Sequence, residues 1–174
     1  MITKTDVETC FPELKWITNT QLREQVIEVW INAANQGKWK RLTDVPFTLL
    51  VKDSGPLIDH TRRIATLARS VSETRKEPLQ KDYLIAGALL HDVGKLLEYE
   101  KVVDQVVVSE LGKKIRHPVS GANLAKNLGL PEEVVHIIYA HSKEGDIIER
   151  SPEAIIVHHC DFIDFEITKA IKRG

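Results

Sequence analysis

The residues best suited to chemistry are His60, His91, Asp92, His117, His141 and Asp161. His91 and Asp92 are adjacent at the end of LIAGALLHDVGKL, residues 84–96, where an apolar helical run stops on a polar pair. A buried carboxylate is costly unless it is paired or bound to a metal. The other four residues are the types that would complete such a centre. Several imidazoles together with carboxylates suit iron, manganese, zinc, nickel or cobalt better than calcium. Asp92 has two oxygens and can bridge two ions while His91 binds one of them. The chain has seven histidines, most of them in its second half.

The elements that position these residues can be read from apolar periodicity and stop signals. Thr20 to Gln36 is a helix with Leu22, Val26, Val29, Trp30 and Ala33 on one face and Gly37 after it. Leu57 to Glu73 is a second, with His60 near its start. Leu79 to Asp92 is a third, and Gly94 is expected to end it through a left-handed backbone. His117 precedes Pro118, which favours a helix start; that helix runs to about Leu128 and Gly129 closes it. Pro131 opens a helix to about His141, and Ser151–Pro152–Glu153 opens the last, to about Lys172. Residues 1–19 read as a polar lead and 38–56 as a connector able to line a pocket. Residues 97–116 are irregular, with a short strand at Val106 to Val108. Most candidate ligands thus fall at or near helix ends, where residues from several helices can converge. The expected architecture is an all-α bundle of about six main helices.

Composition narrows the function. The 174 residues suit one domain with a substantial core, and the 43% hydrophobic share is ordinary for a globular protein. A formal net charge of -1 gives no basic excess for a nucleic-acid duplex. Cys10 and Cys160 make neither a disulfide framework nor a zinc spacing. No apolar run approaches the ~18 residues of a membrane span, and MITKTDVETCFPELKW holds no signal-peptide core. These features lead us to expect a cytoplasmic protein without membrane partners. Trp16, Trp30 and Trp39 cluster near the N-terminus, where an apolar Trp-bearing surface would serve a homodimer.

The order H…HD…H…H…D resembles the HD superfamily of metal-dependent phosphohydrolases. The matching pieces are HTRRIATLA at 60–68, HDVGK at 91–95, HPVSGANLAKNLGL at 117–130, AHS at 140–142 and HHCDFIDF at 158–165. The resemblance implies a helical HD core over 57–174, preceded by a helical extension and connector over 1–56. It implies that His60, His91, Asp92 and Asp161 hold one divalent metal. In the two-metal branches, Asp92 bridges to a second metal on His117 and His141. Asp92 and Lys95 are then the catalytic residues, with the Lys95 ammonium holding a phosphate oxygen of a small phosphorylated substrate. Asp164, one turn beyond Asp161, is a rival ligand that the motif disfavours.

Cyclic-di-GMP phosphodiesterases of this superfamily carry a second histidine where this chain has Ser142. They also carry a GYP motif, where this chain continues KEGDIIERSPE. Neither cyclic-di-GMP hydrolysis nor a third metal is therefore expected. Arg62 and Arg63 read as a charged face from which Arg63 could reach an anionic substrate. His158, one turn before Asp161, reads as a support for the ligands or a substrate contact. His136 lies about 140° around its helix from His141 and is expected to bind no shared metal. The same ligand set also occurs in mixed-valence di-iron oxygenases of this superfamily, and a non-catalytic metal-binding regulatory module is a third reading.

Overall fold

The architecture is built around one helix that is apolar on every side. α4 (Lys81–Leu90) buries every residue from Leu84 to Leu90, and such a helix has to lie inside the molecule. In the computed structural model, which describes residues 1–172, it is surrounded by α2 (Thr20–Gln36), α3 (Leu57–Glu73), α7 (Glu132–Ala140) and α8 (Pro152–Lys172). α6 (His117–Asn127) packs on α7 and on a single helical turn, α5 (Lys95–Glu98). α2, α3, α4, α6, α7 and α8 are the six main helices expected. The bounds of α2 and α3 coincide with those read from periodicity. No helix among the described residues is long and apolar enough to cross a membrane.

Several local expectations need correction. The polar lead holds a helix, α1 (Lys4–Cys10), and a 3-10 turn at Pro12–Trp16. Thr3 and Asp6 form a reciprocal capping box that starts α1. Val7, Phe11, Leu14 and Ile17 then enter the core, and their three- and four-residue spacing was hidden among polar neighbours. Asp82 in the first turn of α4 accepts hydrogen bonds from the Thr18 and Asn19 amides, fastening this segment down. The irregular stretch contains an antiparallel hairpin, β1 (Tyr99–Val102) and β2 (Gln105–Val108), with Tyr99 opposite Val108. The expected strand at Val106 to Val108 is its second arm.

The tryptophan surface is not there. Trp30 and Trp39 are buried, and Trp16 is half-buried beneath the Arg69 guanidinium. The Trp30 indole N–H donates to the Leu89 carbonyl and that of Trp39 to the Leu96 carbonyl. Both satisfy carbonyls near helix ends that lack a partner of their own. These indoles therefore clamp α2 and the connector onto the segment that carries His91 and Asp92.

Gly94 also works differently from expectation. Its φ of -62° and ψ of -17° are right-handed, so the backbone there is open to any residue. What requires glycine is proximity: a Cβ would lie 2.1 Å from the His117 carbonyl oxygen and 2.8 Å from the Gly121 nitrogen. The turn after Asp92 is thus pressed against the start of α6. Gly129, with φ +76°, does close α6 in the left-handed region. A Gly94→Ala variant must push α6 away, which costs about 1–3 kcal/mol. It should melt several degrees below the parent in thermal denaturation, and an unchanged melting temperature would refute this account.

Candidate metal centre

Helix ends deliver nearly all of the candidate side chains. His60 sits in the first turn of α3, His91 and Asp92 follow the last residue of α4, and His117 opens α6. His141 follows α7, and Asp161 projects from α8. The structure brings all six together in two groups that share Asp92. In the first, His60 Nε2 lies 3.0 Å from His91 Nε2, 3.3 Å from Asp92 Oδ2 and 3.2 Å from Asp161 Oδ1. In the second, Asp92 Oδ1 lies 3.1 Å from His117 Nε2 and 3.5 Å from His141 Nε2. Each oxygen of one carboxylate therefore faces a different pair of imidazoles. His60, His91 and His141 are fully buried, and Asp92 is 1% exposed.

The far nitrogen of each ring fixes its orientation. His91 Nδ1 donates to the Ala88 carbonyl and His141 Nδ1 to the Ile138 carbonyl, each at 2.7 Å. His60 Nδ1 donates to Asp164 Oδ2 and His117 Nδ1 to Glu98 Oε2, also at 2.7 Å. With Nδ1 as the donor, each ring turns Nε2 inward, and its neutral form offers there the lone pair with which imidazole binds metal. The His60 and His91 lone pairs, 3.0 Å apart, repel unless a proton on His60 or a metal ion lies between them. His141 Nε2 is buried without a hydrogen-bond partner, a costly state that a metal would relieve. The residues present fit a divalent transition metal in each group.

The surrounding charges agree with this. Burial opposes ionisation of Asp92, yet the Lys95 ammonium and the neighbouring imidazoles hold its carboxyl well below the usual range. Burial pulls Lys95 down, but Asp92 outweighs it and keeps the amine charged. Burial lowers His141, favouring its neutral form.

Lys95 Nζ donates to Asp92 Oδ2 at 2.6 Å and to the Phe47 carbonyl at 2.8 Å, so it reaches the centre through the shared carboxylate. Arg63 grips Asp164 with two hydrogen bonds, 2.6 and 2.9 Å, instead of pointing at the centre. With Glu13, Asp59 and Arg62 it also lines a cleft of about 470 Å³. His158 donates from Nδ1 to the His141 carbonyl at 2.6 Å and stays outside both groups. His136 accepts from the Ser151 amide, and Cys160 is buried.

Sequence reasoning missed Glu98 and Phe47. Glu98 lies where no periodicity marks a face. Phe47 comes from the connector and stacks on His60 with ring centroids 3.6 Å apart. Asp164 was legible only as a rival ligand; the structure makes it the acceptor behind His60.

The family follows from an independent comparison. The family model described as HD domain matches residues 57–166, and the chain belongs to that family. A dihydroneopterin 2',3'-cyclic phosphate phosphodiesterase of Methanocaldococcus jannaschii is 32% identical over 127 residues, 68% of this chain and 50% of that protein. A ribonuclease Y of Acidothermus cellulolyticus is 38% identical over 77 residues, 44% of this chain and 13% of the relative. A 3'-5' exoribonuclease YhaM of Listeria welshimeri is 29% identical over 120 residues, 62% of this chain and 38% of the relative. The chain thus spans half or less of the length of these relatives. No solved structure matches it significantly.

One pH effect follows for protein stripped of metal with a chelator. Burial pulls the His60 imidazole down, but hydrogen bonds with Asp161, Asp164 and Asp92 outweigh it and push the pKa from 6.5 up to about 9. A raised folded-state pKa stabilises fully below pH 6.5, and the contribution is lost as pH rises through about 9. The melting temperature of stripped protein should therefore fall between neutral pH and pH 10. A flat or rising profile across that interval contradicts the assignment.

Proposed function

We propose that this protein is a metal-dependent phosphohydrolase that cleaves a phosphodiester of a nucleotide or similar small phosphate ester with a metal-activated water. The observation that carries the reading is the division of Asp92, Oδ2 toward His60 and His91 and Oδ1 toward His117 and His141. The names of the similar proteins support the bond type, since each is a phosphodiesterase or a ribonuclease.

On this reading His60, His91, Asp92 and Asp161 hold one divalent ion, and Asp92, His117 and His141 hold the second. Iron, manganese, zinc, nickel and cobalt all suit these donors. Bound metal supplies Lewis acidity, bringing the pKa of water toward about 7 and polarising a phosphoryl oxygen. The protein's own groups do the rest. Asp92 keeps the two halves of the centre in register. Lys95, held as an ammonium beside Asp92, places a fixed positive charge where an anionic ester arrives and negative charge develops. Phe47 packs over the His60 ring and closes that side of the centre to water.

The test begins with metal analysis of protein purified without oxygen. Turnover is then measured on bis(p-nitrophenyl) phosphate, 2',3'-cyclic nucleotides, a short single-stranded RNA and p-nitrophenyl phosphate. Diester cleavage should exceed monoester cleavage. A coupled Fe(II)/Fe(III) EPR signal without release of phosphate or alcohol would overturn the hydrolase in favour of oxygen chemistry. Asp92→Ala should lose both ions and at least about 10³-fold in rate, as expected when a central charge-stabilising group is removed. Full metal content in that variant would sink the bridging role.

A further inference from the structure

Two of the four histidines lean on carboxylates, and each of those carboxylates is itself held by an arginine. In the first group the chain of contacts runs Arg63, Asp164, His60. Arg63 Nε and Nη2 donate to Asp164 at 2.6 and 2.9 Å, and His60 Nδ1 donates to Asp164 Oδ2 at 2.7 Å. In the second it runs Arg116, Glu98, His117. Glu98 Oε2 accepts from both the amide and Nδ1 of His117, while Arg116 Nε lies 3.4 Å from Glu98 Oε1. The remaining two rings, His91 and His141, lean on main-chain carbonyls. Each group therefore has one histidine backed by a carboxylate and one backed by a carbonyl.

The two chains of contacts are unequal. Arg63 binds Asp164 through two short bonds, 2.6 and 2.9 Å. Arg116 makes a single contact with Glu98 at 3.4 Å; both guanidinium groups are about half exposed and screened by solvent, so the difference lies in this geometry. The first group also assembles four donors against three in the second. A carboxylate behind a ligating imidazole fixes its tautomer and raises its basicity, and losing such a partner typically costs 10–100-fold in metal affinity.

We propose that Asp164 and Glu98 are positioning residues, each serving one metal of the pair. We propose further that Arg63 reinforces Asp164, so that the group around His60 fills first and the group around His117 fills second and more weakly. The proposal rests on the metal-binding reading above, and its test separates the two.

Chelator-stripped protein is titrated with Co²⁺, followed by calorimetry and visible absorption. The parent should bind in two steps of unequal affinity, and the weaker one should disappear in His141→Ala. Glu98→Gln should weaken the second step about 10–100-fold and leave the first within about twofold. Asp164→Asn should weaken the first step by a similar factor. Arg63 is near the surface, so Arg63→Gln gives a variant that keeps the core intact; it should weaken the first step alone, by several-fold. Arg116→Gln should change neither step by more than about twofold.

Equal weakening of both steps in Glu98→Gln and Asp164→Asn would overturn the separate roles. So would unchanged affinities in Asp164→Asn and Arg63→Gln. Absence of Co²⁺ binding by the parent would instead defeat the metal-binding reading itself.

Discussion

The molecule depends on one buried carboxylate with imidazoles on both of its edges. Asp92 is almost wholly out of water, and an isolated charge in such a place is severely penalised. Its ionisation is sustained by Lys95 on one side and by His60, His91, His117 and His141 around it. Every one of these groups comes from near a helix end, so the packing of α3, α4, α6 and α7 and the charge state of Asp92 are a single problem. The close passage of Gly94 against the start of α6 belongs to the same problem. It brings His117 within 3.1 Å of Asp92.

Helix polarity explains why the supporting contacts come in two kinds. The end of a helix exposes carbonyls that lack partners, and its start exposes amides. His91 and His141 each follow a helix and turn back three residues to donate to one of those carbonyls. One contact satisfies the helix end and fixes the ring. His60 and His117 stand at helix starts, where the local backbone offers donors and no acceptor. An acceptor must be brought from another element, and Asp164 of α8 and Glu98 of α5 supply it. Glu98 also accepts the His117 amide, which is one of the unpaired donors of α6. The same polarity that makes a helix start poor support for a histidine makes it good support for the carboxylate that backs it.

This asymmetry also accounts for what could be read from the sequence. Five of the candidate ligands were legible because a histidine or an aspartate beside a helix boundary is a local signal, with Pro118 and Pro131 among the boundary marks; Asp161, inside α8, was legible only through the resemblance of HHCDFIDF. α4 was legible because it is apolar throughout. Glu98, Phe47 and the partners of Trp30 and Trp39 were not, because each is defined by a contact with another element, 13 (60 − 47) or more residues away in sequence. Glu98 looks like any surface acid until the start of α6 is laid against it. Gly94 was noticed for the wrong reason: a glycine after a helix suggests a left-handed turn, while its real constraint is the backbone of another helix.

The supporting contacts also bear on what the centre attracts. A carboxylate placed behind a ligating histidine would ordinarily lower the positive potential of the site and weaken its hold on an anion. Here Asp164 is paired with Arg63 and Glu98 with Arg116. Each chain of contacts orients its imidazole while remaining formally neutral. On the proposed reading, the charge of the centre is then left to the metals it would hold, Asp92, Asp161 and Lys95. With divalent ions present that balance is positive, in a region where low dielectric strengthens every charge. A phosphodiester carries the complementary charge. On the proposed function, support for the ligands and affinity for an anionic substrate compete in principle, and Arg63, with its two bonds to Asp164, allows both in the first group.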